Sequence, residues 1–343
     1  MRVRASVPRR GAPSELGHTA RRPAVRRVPR RYDASVKFGI NLPNYSDGAT
    51  PDSLLARARI AESLGFHSVL ISDHVAVTPS VRPRYPEPLF DPFTVLAWLA
   101  GQTSRVQLGT TVCVVPYRHP ILTARLVANI DRLCGGRFIF GVGVGHAADE
   151  FAALGVPVHR RGAVTDEYLD LMRRLWTEPE VTYSGEFVNV EHVSGIGCVD
   201  VPGRPHPPIW VGGLSDAAMK RAIRLGAAWH PNRFAMAWLR DEGVPRMRRF
   251  ATERGVAAPS LCPRVAVDMR DAIVAGDSRP AGIGTLDQIR ADLRTLESLG
   301  AKHVILDWYL AGNLETARND ARAWQMLTLL ASHVLDLPGE RLR

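Results

Sequence analysis

The chain has 343 residues, 45% of them hydrophobic and 23% charged, with a formal net charge of +10. These proportions fit an ordinary globular protein and exclude collagen-like, low-complexity and disulfide-scaffold classes. No apolar run reaches the ~18–20 residues of a membrane-spanning helix, so a cytoplasmic protein without membrane association is expected.

The charge is unevenly placed. Residues 1–35 carry ten arginines against Glu15 and Asp33, a net of +8, which leaves +2 for everything after them. The basicity therefore belongs to a tail, and no nucleic-acid partner is expected. That tail is rich in Arg and Pro and too poor in large apolar residues to fold alone, so 1–35 is expected to be disordered and 36–343 to form a single domain. Cys113, Cys134, Cys198 and Cys262 are widely spaced with no CxxC pair, which favours reduced thiols over a disulfide framework or zinc site.

Along the chain, strand-like and helix-like segments alternate. Val36–Pro43 predicts a first strand, and Thr50-Pro51 caps a helix ending at Gly65. His67–Asp73 is a second strand, followed by a polar, Pro-rich loop over Val75–Phe90. Asp91-Pro92 opens a second helix. A third strand-like run covers Val106–Pro116, and Pro120–Leu133 is helical. Gly135-Gly136 precede a fourth strand, Phe138–Val144, and a helix is predicted over Asp166–Trp176. Val181–Pro208 has no helical period and predicts a hairpin-like insertion. Strands five to seven are expected at Pro208–Gly213, Ala227–Pro231 and Ser260–Val267, with helices after Ser215-Asp216 and over Met236–Arg254. Thr285 to Gln288 fits a capping box, His303–Trp308 is an eighth strand, and Ala317–Leu335 a last helix. Eight strands alternating with helices predict a (β/α)8 TIM barrel with an insertion in its second half.

A barrel of this kind assembles its site at the C-terminal ends of the strands, which selects the candidates. Asp73-His74 is the pair suited to proton transfer. Gly141-Val-Gly-Val-Gly145 lacks the third glycine of a dinucleotide fingerprint, since His146 stands there. Its glycines are expected to keep a cavity clear and lead into a helix whose N–H groups can hold phosphate. Gly212-Gly213 before Ser215 follows the same logic. Asn41, His230 and Trp308 are candidates for substrate contact. The histidines show no metal-ligand spacing.

FGINLPNY, GFHSVLISDH, RVQLGTTVCVVPYRHP, LCGGRFIFGVGVG, the EFAALGVPVHRRG to LMRRLWT run, and PPIWVGG occur in that order. Together they resemble the luciferase-like monooxygenase superfamily, and within it the oxidoreductases that use the deazaflavin coenzyme F420. The resemblance implies a (β/α)8 barrel that transfers hydride between F420 and a small organic substrate. It implies His74 as the proton-handling residue, with Asp73, Thr111, Val112, Gly143, Gly145, His146, Gly212 and Gly213 at the cofactor. It also implies a non-prolyl cis peptide at Thr111-Val112. His146 stands where the family's sugar-phosphate dehydrogenases carry an acid, so that chemistry is not expected, and the proton donor is His74, His146 or both. Alternatives left open are a two-component monooxygenase using reduced FMN and oxygen, and a flavin-binding or interaction protein without turnover. A homodimer is also left open.

Overall fold

Eight parallel strands form a ring, each alternating with helical segments. They are β1 (Lys37–Leu42), β2 (Ser68–Ile71), β3 (Gln107–Thr110), β4 (Phe138–Gly143), β5 (Ile209–Gly212), β6 (Ala228–His230), β7 (Arg264–Ala266) and β8 (His303–Asp307). The order is β7-β8-β1-β2-β3-β4-β5-β6. The seam between β6 and β7 is closed by a parallel bridge of Asn232 with Arg264 and by backbone bonds from Trp229 to the Ser260–Cys262 segment. The computed structural model describes residues 35–309 and 320–343. The basic tail, up to residue 34, and the start of the expected last helix at Ala317 lie outside the described residues.

The sequence accounts for where the elements begin. Helix α1 (Pro51–Leu64) starts at a reciprocal capping box between Thr50 and Ser53 and stops at Gly65, whose φ of 93° suits only glycine well. Helices α2 (Pro92–Ala100) and α3 (Pro120–Leu133) also begin at proline, after Asp91 and His119 respectively. Leu54, Ala58 and Ala61 of α1, and Phe93, Leu96 and Leu99 of α2, are buried in the layer between strands and helices. A smaller cluster of Leu70, Ile139, Trp210, Cys262 and Ile305 forms apart from that layer.

Several expectations are refined. The run Val106–Pro116 is not one strand. β3 ends at Thr110, the chain passes through a cis Thr111-Val112 peptide, and Cys113-Val114 then pair with β4. The insertion is an antiparallel hairpin, Glu180–Ser184 with Asn189–Ser194. The helix expected over Met236–Arg254 is interrupted by a π turn at Leu239–Gly243 before Val244–Glu253. A short helix, Ala148–Ala153, follows β4, the helix into which its glycines are expected to lead. The seventh strand is short because Pro263 removes a donor just before it.

Candidate active site

A polar layer joins the C-terminal ends of the strands. Asp307, at the end of β8, accepts from Asn41 Nδ2 (3.2 Å), Arg264 Nε (2.9 Å) and the Tyr309 amide (3.0 Å). Arg264 Nη1 reaches across to donate to the Thr111 carbonyl (2.6 Å). Thr111 Oγ1 lies 2.8 Å from His230 Nε2, while His230 Nδ1 contacts the Cys262 carbonyl. A carbonyl only accepts, so His230 Nδ1 carries the proton and Nε2 accepts from the Thr111 hydroxyl. Burial drives the His230 ring down to about 4, so it stays neutral at pH 7 and serves as a fixed strut.

Above this layer opens a cleft of about 320 Å³, at the lower end of the size of small-molecule sites. Asp73, His74, Thr111, Val112, Gly143, Gly145, His146, Gly212 and Gly213 all line it. The structure thus gathers the residues expected at the proton and cofactor positions. The three substrate candidates are placed elsewhere. Asn41 and His230 belong to the polar layer, and Trp308 lines a separate cavity, where it packs near Trp324.

The glycines fit Val112 as well as any ligand. A Cβ at Gly143 would stand 2.5 Å from Val112 Cγ2, and one at Gly212 would stand 3.0 Å from Val112 Cγ1. Both contacts are too tight for an ordinary side chain, so bare backbone at these two positions lets Val112 occupy the floor of the cleft. Gly145 combines a φ of 75° with the Val114 and Phe151 side chains 2.6 and 2.8 Å from its would-be Cβ.

His74 is held from behind by Glu150, which sequence reasoning missed. Glu150 is fully buried. Its Oε2 accepts from His74 Nδ1 (2.8 Å) and from the Tyr117 hydroxyl (2.8 Å), and its Oε1 accepts from the Val75 and Ala76 amides (2.7 and 3.1 Å). Burial alone would raise this carboxyl. The His74 and backbone hydrogen bonds outweigh it and hold the pKa below the ordinary glutamate value. Burial and the Glu150 charge raise the Tyr117 phenol, so it remains a donor. An ionised Glu150 therefore fixes the Nδ1–H form of His74 and leaves Nε2 as the ring's other nitrogen. The Tyr85 ring packs 4.2 Å from the His74 ring, centre to centre.

Asp73 has a different role from its neighbour. It accepts from the Val114 amide (2.9 Å) and from both terminal nitrogens of Arg118 (2.8 and 2.9 Å), which makes it an anchor for the segment after Val112. His146 is exposed at the mouth, 6.1 Å from the His74 ring. Partial burial of the ring first, then the nearby positive charges of Arg84 and Arg233, lower its pKa, so it is neutral at pH 7.

Arg264 and Glu150 each left a faint signal in the sequence. Arg264 is the lone charge in the LCPRVAV run, and Glu150 follows Asp149 at the end of the GVGVGHAADE stretch. No cluster of three metal-ligating side chains occurs among the described residues, and no helix there is long and apolar enough to cross a membrane.

Bare backbone at Gly143, Gly145, Gly212 and Gly213 leaves this wall of the cleft open, with Val112 packed against Gly143 and Gly212. Comparison with known proteins agrees with that architecture. An uncharacterized protein of Mycobacterium tuberculosis (strain H37Rv) is 34% identical over 205 residues, 56% of this chain and 71% of the other. An F420-dependent glucose-6-phosphate dehydrogenase of Kineococcus radiotolerans is 36% identical over 180 residues, 51% of each chain. Among solved structures, the monooxygenase RslO1 of Streptomyces bottropensis superposes with a TM-score of 0.71 at 24% identity, covering 88% of this chain and 99% of that one. The oxygenating component of a Pseudomonas putida diketocamphane monooxygenase, in complex with FMN, gives 0.68 at 13% identity, covering 87% and 97%. The family model for luciferase-like monooxygenases matches residues 36–279, and the chain belongs to that family of oxidoreductases.

Proposed function

We propose that the cleft binds coenzyme F420 and that the protein transfers hydride between this deazaflavin and a small organic substrate. The observation that carries the reading is the His74–Glu150 pair: an imidazole on the cleft wall, locked in one tautomer by a carboxylate with no exposure to solvent. A second support is the F420-dependent relative, the source of the cofactor's identity in this reading.

When bound, the deazaflavin supplies or accepts a hydride at C5, which leaves a proton for the protein to move. His74 Nε2 is the atom placed to move it. With Nδ1–H donated to Glu150, the neutral ring presents a lone pair at Nε2 and takes the proton of a substrate hydroxyl during oxidation. In the reverse direction the protonated ring returns that proton to a carbonyl oxygen. The Glu150 carboxylate stabilises the imidazolium between these events. Tyr117 and the Val75 and Ala76 amides hold Glu150 still, so the ring does not reorient to follow its proton. Val112 and the glycines around it would hold the cofactor ring in the cleft, and Asp73 with Arg118 anchors the segment that follows Val112.

The test is His74→Ala. Turnover of F420 falls by about 10²–10⁴, the usual worth of a positioned acid–base group, while F420 affinity by equilibrium titration stays within a few-fold of wild type. Loss of cofactor binding in this variant would instead make His74 a structural residue and refute the assignment.

A further inference from the structure

The cleft carries more positive charge than its own residues neutralise. Its buried guanidinium, Arg264, is matched by Asp307, with nitrogen and oxygen 2.7 Å apart. The carboxylate on its wall, Asp73, is matched by Arg118 at 2.8 Å. Two further arginines, Arg84 from the loop after β2 and Arg233 from the segment after β6, also line the cleft. Both are exposed, and neither side chain has a hydrogen bond or ion pair among the described residues. Both lie close enough to His146 to act on its charge.

We propose that Arg84 and Arg233 form an oxyanion subsite that holds a carboxylate or phosphate group of the substrate beside His74. The inference rests on the hydride-transfer reading for the identity of the reacting partner, but the subsite itself does not. Guanidinium groups suit such a ligand because their planar N–H pairs match the oxygens of a carboxylate or phosphate. His146, neutral at the same rim, adds a hydrogen-bond donor without adding fixed charge.

Two further observations support a built site over two solvated side chains. Arg233 has a φ of 53°, in the left-handed region that long side chains seldom adopt. Its neighbour Asn232 forms the bridge to Arg264 that closes the barrel, so the position is fixed by the fold and not by a free loop. Arg84 directly precedes Tyr85, whose ring lies against His74 at 4.2 Å. Arg84, Arg233 and His74 line one cleft, so an anion held by the two arginines shares that cleft with the proton-transfer nitrogen.

The test uses the full-length protein labelled at histidine with ¹⁵N. Inorganic phosphate, acetate and, as a neutral control, 2-propanol are titrated at constant ionic strength while the His74 and His146 ring signals are followed. Phosphate or acetate should shift these signals saturably and 2-propanol should not, and the anion that saturates at the lower concentration identifies the oxyanion class. In the Arg84→Gln/Arg233→Gln variant the apparent Kd should rise at least tenfold. In Arg82→Gln, an exposed arginine of the same loop that does not line the cleft, it should stay within twofold. Non-saturating shifts, or an equal loss in the Arg82 variant, would reduce the effect to general charge and overturn the proposal. F420 titration of the double variant separates the sources. Unchanged F420 affinity assigns the arginines to the substrate, and a tenfold loss gives them to the cofactor and overturns the assignment. Saturable anion binding by a wild-type protein that fails to bind F420 would leave the subsite standing and remove the hydride-transfer reading.

Discussion

Replacing Glu150 by glutamine tests the link between the buried carboxylate and His74 at one atom. Oε1 is pinned by two backbone N–H groups, at 2.7 and 3.1 Å, so a glutamine carbonyl must remain on that side. The amide nitrogen then replaces Oε2, 2.8 Å from His74 Nδ1 and from the Tyr117 hydroxyl. As that nitrogen only donates, His74 Nδ1 must become an acceptor and its proton must move to Nε2. The neutral ring then faces the cleft with N–H and cannot take a proton. The lost charge-assisted hydrogen bond is worth about 1.5–3 kcal/mol. A wrong tautomer at a positioned histidine can cost up to ~10⁴ in rate, so turnover in Glu150→Gln should fall by about 10²–10⁴. Long-range proton–nitrogen correlation on histidine-labelled protein reads the tautomer directly: Nδ1–H in wild type, Nε2–H in the variant. F420 affinity serves as the control and should change little, while the melting temperature should fall by only a few degrees, as the lost hydrogen bond requires. An Nε2–H tautomer in wild type, or a variant within threefold of wild-type turnover, would refute the reasoning.

Two other substitutions probe the floor and the strut beneath it. Gly143→Ala places a Cβ 2.5 Å from Val112 Cγ2, and overpacking of this kind costs about 1–3 kcal/mol; F420 affinity should fall with it, and adding Val112→Ala should recover most of both losses in a denaturant and binding series. His230 titrates near 4 when folded against 6.5 when exposed. The unfolded chain therefore binds this proton first, and stability present above pH 6.5 is lost as pH falls toward 4, by about 3 kcal/mol in all. In His230→Gln the gap in urea unfolding free energy from wild type should shrink by about 2–3 kcal/mol between pH 7 and 4.5, and a pH-independent gap would contradict the burial argument.

The barrel was legible because its signals are local: caps at Thr50, Asp91 and Thr285, glycine stops at Gly65 and Gly135-Gly136, and apolar runs at regular intervals. Asp73-His74 was visible for the same reason, as two chemical groups side by side at a strand end. Glu150 was not, because its partner stands 76 residues away and an acid in the first turn of a helix ordinarily needs no other explanation. Gly143 and Gly212 were expected to keep side chains out of a cavity, and the side chain that demands bare backbone at both is Val112, a distant residue in each case. Trp308 was proposed for the substrate because it follows the last strand. Alternation along that strand sends Asp307 to Asn41 and Arg264, and Trp308 to the other side against Trp324. Arg264 escaped notice since a linear reading gives a charge in an apolar strand no partner, whereas the closed ring brings it to Asp307 and Thr111 together.

The central claim, a deazaflavin site served by His74, is tested most directly by equilibrium titration of the purified full-length protein with F420 and with FMN, followed by fluorescence and by oxygen consumption under reducing conditions. The account predicts saturable F420 binding with a Kd at least tenfold below that for FMN, and no oxygen uptake. Tight FMN binding with oxygen uptake, and no saturable binding of F420, would contradict it.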